Sequence, residues 1–433
     1  ADQEKFLTKF APDVAAALPG AEWLRSRRVA AAERFAAASL PTEAEEIWRY
    51  SRIGQFDLDA YTPATSLPMS AAHGIPAVLE AAMAAAGERS ALAIVHNGRI
   101  VHIEVDPALE AKGLAIGDVG GDAEGEDLLG DVAASTIDAF TELNTAFAPG
   151  CLAVRAPAGL EVDRPILVFH WIDGEGSAVF PRTIVRAGAD ADVTIVEHQV
   201  SADIAAFVDP VVELDVAAAA RVRYLNLQDL GPRVWQTGYQ ASRVAQDATL
   251  RSSVVALGGY YARVRTDSQL VGKGGTSYLT AVYFADGERM HDFRTVQDHA
   301  APSTTSDLLF KGAAQDTGRS VYSGLIRVRK EARGTNAFQT NRNLVLSEGA
   351  GAESVPNLEI ETDDVRCSHA SAVGPIDDEH LYYLESRGVP PEVAERLIVL
   401  GFFGEVLDRL PTPSLVDTLR ATIAGRLTAK DRR

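Results

Sequence analysis

KGAAQDTGRSVYSGLIRVRKEARGTNAFQTNRNLVLSEGAGAESVPNLEIETDDVRCSHASAVGPIDDEHLYYLESRGVPPEVAERLIVLGFF, from Lys311 to Phe403, is the stretch that decides the fold. It opens with short strand-like runs (VYSGLIRV, LVLSEG, NLEIE, DVRCS) separated by Gly, Asp and Asn, and no helix of useful length lies between them. It then passes through the triplet Cys367, Ser368, His369 into capped helices. The same short-strand texture extends back to Cys151, a new strand arriving about every ten to twelve residues. Parallel βαβ winding is therefore disfavoured, and a sandwich, a barrel or a β-solenoid remain. So many strands overfill one sandwich, whereas a solenoid grows in one dimension. No strict repeat motif is present to choose between them.

The reading divides the chain into residues 1–90, a helical N-terminal domain; 91–150, a connecting region; 151–374, the strand-rich core; and 375–433, a C-terminal helical domain. The first part is Ala-rich and helical around Phe35, interrupted at EEIWRY (Glu45–Tyr50) and by a Pro-containing loop at Tyr61–Pro68. The connecting region predicts a hairpin turning at Asn97-Gly98, a Gly/Asp/Glu-rich surface loop at Gly117–Gly130, and a helix near Ser135–Phe147. At the C-terminal end Asp377 caps a helix that stops at Gly388. Pro390-Pro391 open a second helix with Val393, Leu397, Leu400 and Leu407 on one side, and Thr412-Pro413 open a third. The third carries Leu415, Leu419, Ile423 and Leu427, a stripe that either packs within the chain or docks another protein.

Composition narrows the function. The 433 residues are 46% hydrophobic with mean hydropathy −0.02, which describes a globular chain with a sizeable core. Apolar runs such as Ala81–Ala86 are far too short to span a membrane, and the N-terminus shows no secretory pattern, so a cytoplasmic location is expected. The formal charge of −19 opposes binding to nucleic acid. The basic run WLRSRR (Trp23–Arg28) is expected to be a solvated helix face. Two cysteines, Cys151 and Cys367, make neither a disulfide framework nor a complete thiolate site.

Common enzyme signatures are missing. Gly312–Ser320 and Gly272–Thr276 lack the spacing of a phosphate-binding GxxxxGK[ST] loop, and there is no GxSxG, HExxH, CxxC or GxGxxG after a strand. Two histidine groupings remain. His291 and Asp292 with His299 form a loose cluster, open to a metal reading or to hydrogen bonding within strands and turns. Cys367 and His369, two apart on a strand, share a face, so a thiol and an imidazole stand side by side. Both are competent iron or zinc ligands, yet two ligands do not complete a site.

FQTNRNLVLSEGA, LEIETDDVRCSHA, DDEHLYYLESRG and PPEVAERLIVLGFFGEVL occur in order, and EEIWRY lies near the N-terminus. Together they resemble the SufB/SufD family of iron-sulfur cluster assembly proteins, most densely over residues 290–410. Asn341-Arg342-Asn343 stand where the SufB branch has a CDS triplet, and His369-Ala370 where it has His-Glu; both point to the SufD branch. ARGT at Ala332–Thr335 and HASA at His369–Ala372 depart from the usual AQKT and HGAT.

The resemblance implies a right-handed parallel β-helix between helical ends, in a scaffold subunit that is not itself an enzyme and binds no nucleotide. The partners it implies are SufB, joined through the β-helices, and the ATPase SufC, docked on the C-terminal helices at Leu397, Leu400, Phe403, Leu407, Leu415 and Leu419. The cargo is a transient iron-sulfur cluster shared with SufB. His369 matches a histidine that contributes to the nascent cluster site at the SufB interface, so it is the expected iron ligand, with Cys367 lining the site. Flavin binding and homodimerisation without SufB stay open. The rival readings are a β-helix carbohydrate-active enzyme of the secreted type and a SufB-like scaffold holding a cluster alone.

Overall fold

The computed structural model describes residues 8–66, 76–121, 123–133 and 137–428. Two sheets face one another and the chain alternates between them, so each pair of successive strands makes one coil of a parallel β-solenoid with about eight turns. Tyr261 pairs with Met290 and Met290 with Arg319, 29 residues per coil at that point. The coil length is not constant, since Trp235 pairs with Tyr261 and Arg319 with Gly351. Turns therefore absorb insertions while the rungs stay in register.

One corner recurs in six successive coils. Asp190, Ala219, Asp247, Gly274, Ser303 and Gly334 have φ of 59, 59, 54, 76, 57 and 74°. The N–H of each donates to a carbonyl one coil on: Ala218, Gln246, Lys273, Pro302, Arg333 and Asp364 respectively. The left-handed bend favours Gly and tolerates Asp, but here it is held by a ladder of corner hydrogen bonds that accepts even Ala and Ser. This is the repeat of the molecule, written in geometry rather than residue identity. The GKGGT run at Gly272–Thr276 is one such corner. A Cβ on Gly272 would lie 2.0 Å from the Gln246 nitrogen, so this glycine permits stacking of adjacent turns.

Alternate residues point inward. Early coils fill the interior with Val154, Val185, Leu214, Val193, Ile195 and Leu250, and later ones with Leu279, Tyr283, Phe293, Leu308, Phe310 and Tyr322. The predicted hairpin at Asn97-Gly98 joins Ala91–His96 to Arg99–Val105; the former pairs parallel with Ile166–Ile172 and the latter closes that edge antiparallel. Ala115–Asp118 closes the other sheet in the same way. The expected loop at Gly117–Gly130 thus holds the end of this strand and the short helix Ala123–Leu128. Residues 67 and 68 of the Pro-containing loop, and residues 135 and 136 of the helix expected near Ser135–Phe147, lie outside the described residues; the helix runs Ala139–Phe147.

Helices cover both outer faces. Glu22–Ala37 and Ala139–Phe147 lie on the first sheet in an aromatic cluster of Phe10, Phe35, Trp48, Phe140, Phe207 and Trp235. The basic run is not wholly a solvated face, because Arg28 is 1% exposed and donates to the carbonyls of Pro19 and Ala148 at 2.8 and 2.7 Å. On the second sheet lie Ala77–Ala86, Pro391–Leu407 and Pro413–Thr428. Among the described residues, no helix is long and apolar enough to cross a membrane.

Candidate functional site

The two ends of the solenoid differ. The first is closed by antiparallel strands, whereas among the described residues nothing pairs with the outer edges of the last two strands, Gly351–Ile360 and Val365–Gly374. The register identifies their inward rows. Ala337, Gln339, Asn341 and Asn343, all buried, stand beside Cys367, His369, Ser371 and Val373. On the facing sheet Tyr322, Gly324, Ile326 and Val328 stand beside Ser354, Pro356, Leu358 and Ile360. The final coil therefore presents inward-type side chains to solvent, with Leu358 37%, Ile360 41% and Val373 44% exposed.

Cys367 and His369 fall in one row, as their spacing requires. Cys367 is half-buried and His369 exposed. Burial pushes the Cys367 thiol above its ordinary pKa, a backbone hydrogen bond at Ala337 opposing this in part, so metal coordination has to displace its proton. Among the described residues no three His, Cys, Asp or Glu side chains gather where they could hold a metal ion. The edge offers one imidazole and one thiol, and remaining ligands have to come from outside this set.

Beneath this edge the interior is polar. Asn341 donates to the Tyr283 hydroxyl at 2.9 Å, which donates to Asn343 at 2.7 Å; Asn343 in turn donates to Asn341 at 2.8 Å. Asn341 thus faces inward, in a closed ring of amides and a phenol that contains no thiol.

The other histidine grouping separates. His291 faces inward, with Nε2 3.1 Å from the Gly258 carbonyl, and His299 lies against Thr304 and Ser306. Asp292 points to the opposite face, where it accepts from Tyr261 at 2.7 Å, Arg263 at 2.8 Å and Arg294 at 2.6 Å. Of the metal and hydrogen-bonding readings, the second describes these residues. Those arginines grip EEIWRY: Arg263 donates to the Ile47 carbonyl and lies 3.7 Å over the Trp48 ring, and Arg294 donates to the Arg49 carbonyl. Cys151 is buried, and its burial raises the thiol pKa strongly.

The leucines of the C-terminal helices divide. Phe403, Leu407, Leu415, Leu419, Ile423 and Leu427 are buried against Val255, Phe284, Leu309 and other outward side chains of the second sheet. Of the two readings of that stripe, internal packing describes it. Leu400 is half-buried, while Leu397 is 49% exposed. Reading by stripes overlooked Tyr382 and Tyr383, 73% and 56% exposed on Asp378–Glu385. Two adjacent aromatics in a short polar helix were the available signal. A groove of about 690 Å³ also runs over the first sheet, but its arginines are paired: Arg265 with Asp267, Arg294 with Asp292, Arg329 with Asp298, Arg327 with Glu359.

Comparison with known proteins follows the same segment. The pattern of the family described as "SUF system FeS cluster assembly, SufBD core domain" matches residues 170–402, from the early coils into the helix Pro391–Leu407. A Mycobacterium leprae protein named as an iron-sulfur cluster assembly SufBD family protein is 35% identical over 311 residues, covering 70% of this chain and 76% of its own. The Escherichia coli iron-sulfur cluster assembly protein SufD is 31% identical over 295 residues, covering 67% and 70%. A Staphylococcus epidermidis SufBD family protein is 25% identical over 332 residues, covering 75% and 71%.

Proposed function

The chain belongs to the SufB/SufD family of iron-sulfur cluster assembly proteins, and we propose that it serves there as a SufD-like scaffold subunit. The observation that carries this reading is the open coil. Its last strand places Cys367 and His369 in one row, on an edge with unpaired backbone groups and exposed Leu358 and Ile360. Such an edge is a template for pairing with another chain. A SufB-type subunit is the partner we assign to it, supplying the thiolate and carboxylate ligands that this edge lacks. When that subunit is missing, a second copy of this chain is the alternative occupant.

In this reading the nascent cluster is cargo. His369 supplies a neutral imidazole nitrogen, a more exchangeable ligand than thiolate and suited to release. Cys367 lines the site with a thiol that burial keeps protonated. Asn341 in the closed amide ring argues against a scaffold holding a cluster by itself, and the paired charges of the outer groove argue against carbohydrate chemistry. Tyr382, Tyr383 and Leu397 are where we place a SufC-type ATPase.

The test is iron and sulfide analysis of this chain purified with SufB- and SufC-type partners. His369→Ala should lower cluster content by at least ~10-fold while partner binding persists, and Cys367→Ala should do less. Full cluster content in the His369→Ala complex would return His369 to a structural role.

A further inference from the structure

Gln339 stands beside His369 in the inward row, one strand spacing of about 4.8 Å deeper. It is 1% exposed, yet neither Oε1 nor Nε2 has a hydrogen-bond partner. Its neighbours in the row account for themselves: Asn341 and Asn343 bond each other and Tyr283. Buried carboxamides with both ends unmet are uncommon, and each calls for a physical reason.

The surroundings restrict where a partner can come from. On the deeper side Gln339 stands over Leu308, which offers nothing polar. Across the interior it reaches Gly324, where a Cβ would sit 2.8 Å from Gln339 Nε2 and 2.1 Å from the Tyr322 hydroxyl. The glycine makes space for the carboxamide but gives it no bond. The next layer outward holds His369, stacked on Gln339, and on the facing sheet Pro356, which is stacked on Gly324 and has no N–H to donate. Gln297 is orphaned too, but it is roofed by Ile326 and shut off from the opening.

Resting on the reading of His369 as the iron ligand, we infer that Gln339 is its positioning residue. When a partner covers the open coil and the imidazole turns inward, Gln339 Oε1 accepts the N–H of the ring nitrogen that does not bind iron. That bond selects one tautomer, fixes the ring plane and raises the basicity of the ligating nitrogen.

Co2+ binding to the metal-free complex, measured by titration calorimetry, tests this beside urea unfolding of the same variants. Gln339→Leu should weaken Co2+ binding by ~10-fold or more, as loss of an outer-shell partner does, and Gln339→Glu, which keeps an acceptor, should restore it. Stability provides the second readout. Because Leu replaces an unsatisfied amide by an apolar group, Gln339→Leu should unfold at the same or higher urea concentration, whereas a merely structural glutamine would be missed. Native Co2+ affinity in Gln339→Leu alongside weakened binding in His369→Ala overturns the positioning role alone. Native affinity in His369→Ala removes the reading beneath it, and the inference with it.

Discussion

Asp292→Ala is the substitution that most directly probes how the N-terminal segment is fastened to the solenoid. Asp292 is fully buried and accepts from Tyr261, Arg263 and Arg294 at 2.6–2.8 Å. Burial alone would raise its pKa, but the two guanidinium charges and their hydrogen bonds outweigh that and hold it below the usual carboxylate range. Removing the carboxylate leaves Arg263 and Arg294, 3% and 5% exposed, without their counter-charge. Breaking a buried pair from one side typically costs about 3–5 kcal/mol, and two cations share this partner, so the loss should reach at least ~3 kcal/mol.

The loss has a location. Arg263 and Arg294 hold the carbonyls of Ile47 and Arg49, and Arg263 stacks on Trp48, so their displacement should loosen Glu46–Trp48 before the coils. Urea unfolding gives the magnitude, and amide exchange with limited proteolysis gives the place. Arg263→Met with Arg294→Met added to Asp292→Ala should recover part of the loss, because an apolar replacement of all the charges leaves none unpaired. A destabilisation below about 1 kcal/mol, or exchange that rises evenly over the whole chain, would refute the clamp.

Acid should destabilise the protein early. Burial holds His291 at about 3 and His198 and His299 at about 4, against ~6.5 in the unfolded chain, so they stay neutral in the fold and contribute stability that is full above pH 6.5 and falls as pH drops toward 4. At pH 5 these three should contribute an uptake of about three protons on unfolding, read from the pH dependence of urea stability, and His299→Gln should remove about one. Ile423→Ala should cost about 2–5 kcal/mol and speed amide exchange in Pro413–Thr428, since Ile423 is fully buried on the second sheet; unchanged exchange with loss only of ATPase binding would contradict that packing.

Much of the architecture was legible because strands and caps are local. Asp377 does accept from the Glu379 N–H, and Gly388 has φ of 86°, as the C-terminal reading requires. The solenoid could not be told from a sandwich by repeats, since its recurring element is a bend that Asp, Ala, Gly and Ser all occupy at unequal spacing. The fate of the Leu415–Leu427 stripe was equally open. Periodicity identifies an apolar face, but the sheet that receives it is built from residues as distant as Leu92 and Phe284.

The site shows the same division more sharply. Two-residue spacing puts Cys367 and His369 on one face of any strand, whatever sheet the strand joins, so the pair could be read directly. Whether that face points inward or outward, and whether another coil covers it, depends on which strand is last. Gln339 lies 30 residues away and becomes a neighbour of His369 only through the length of one coil. A solenoid thus turns a distance of one coil in sequence into adjacent rungs in space, and its final coil differs from the others in having no successor among the described residues. The inward row that elsewhere builds a core is at this end covered on one side only. The side chains of that row stay exposed, Val373 at 44%, because among the described residues no further strand stacks on them.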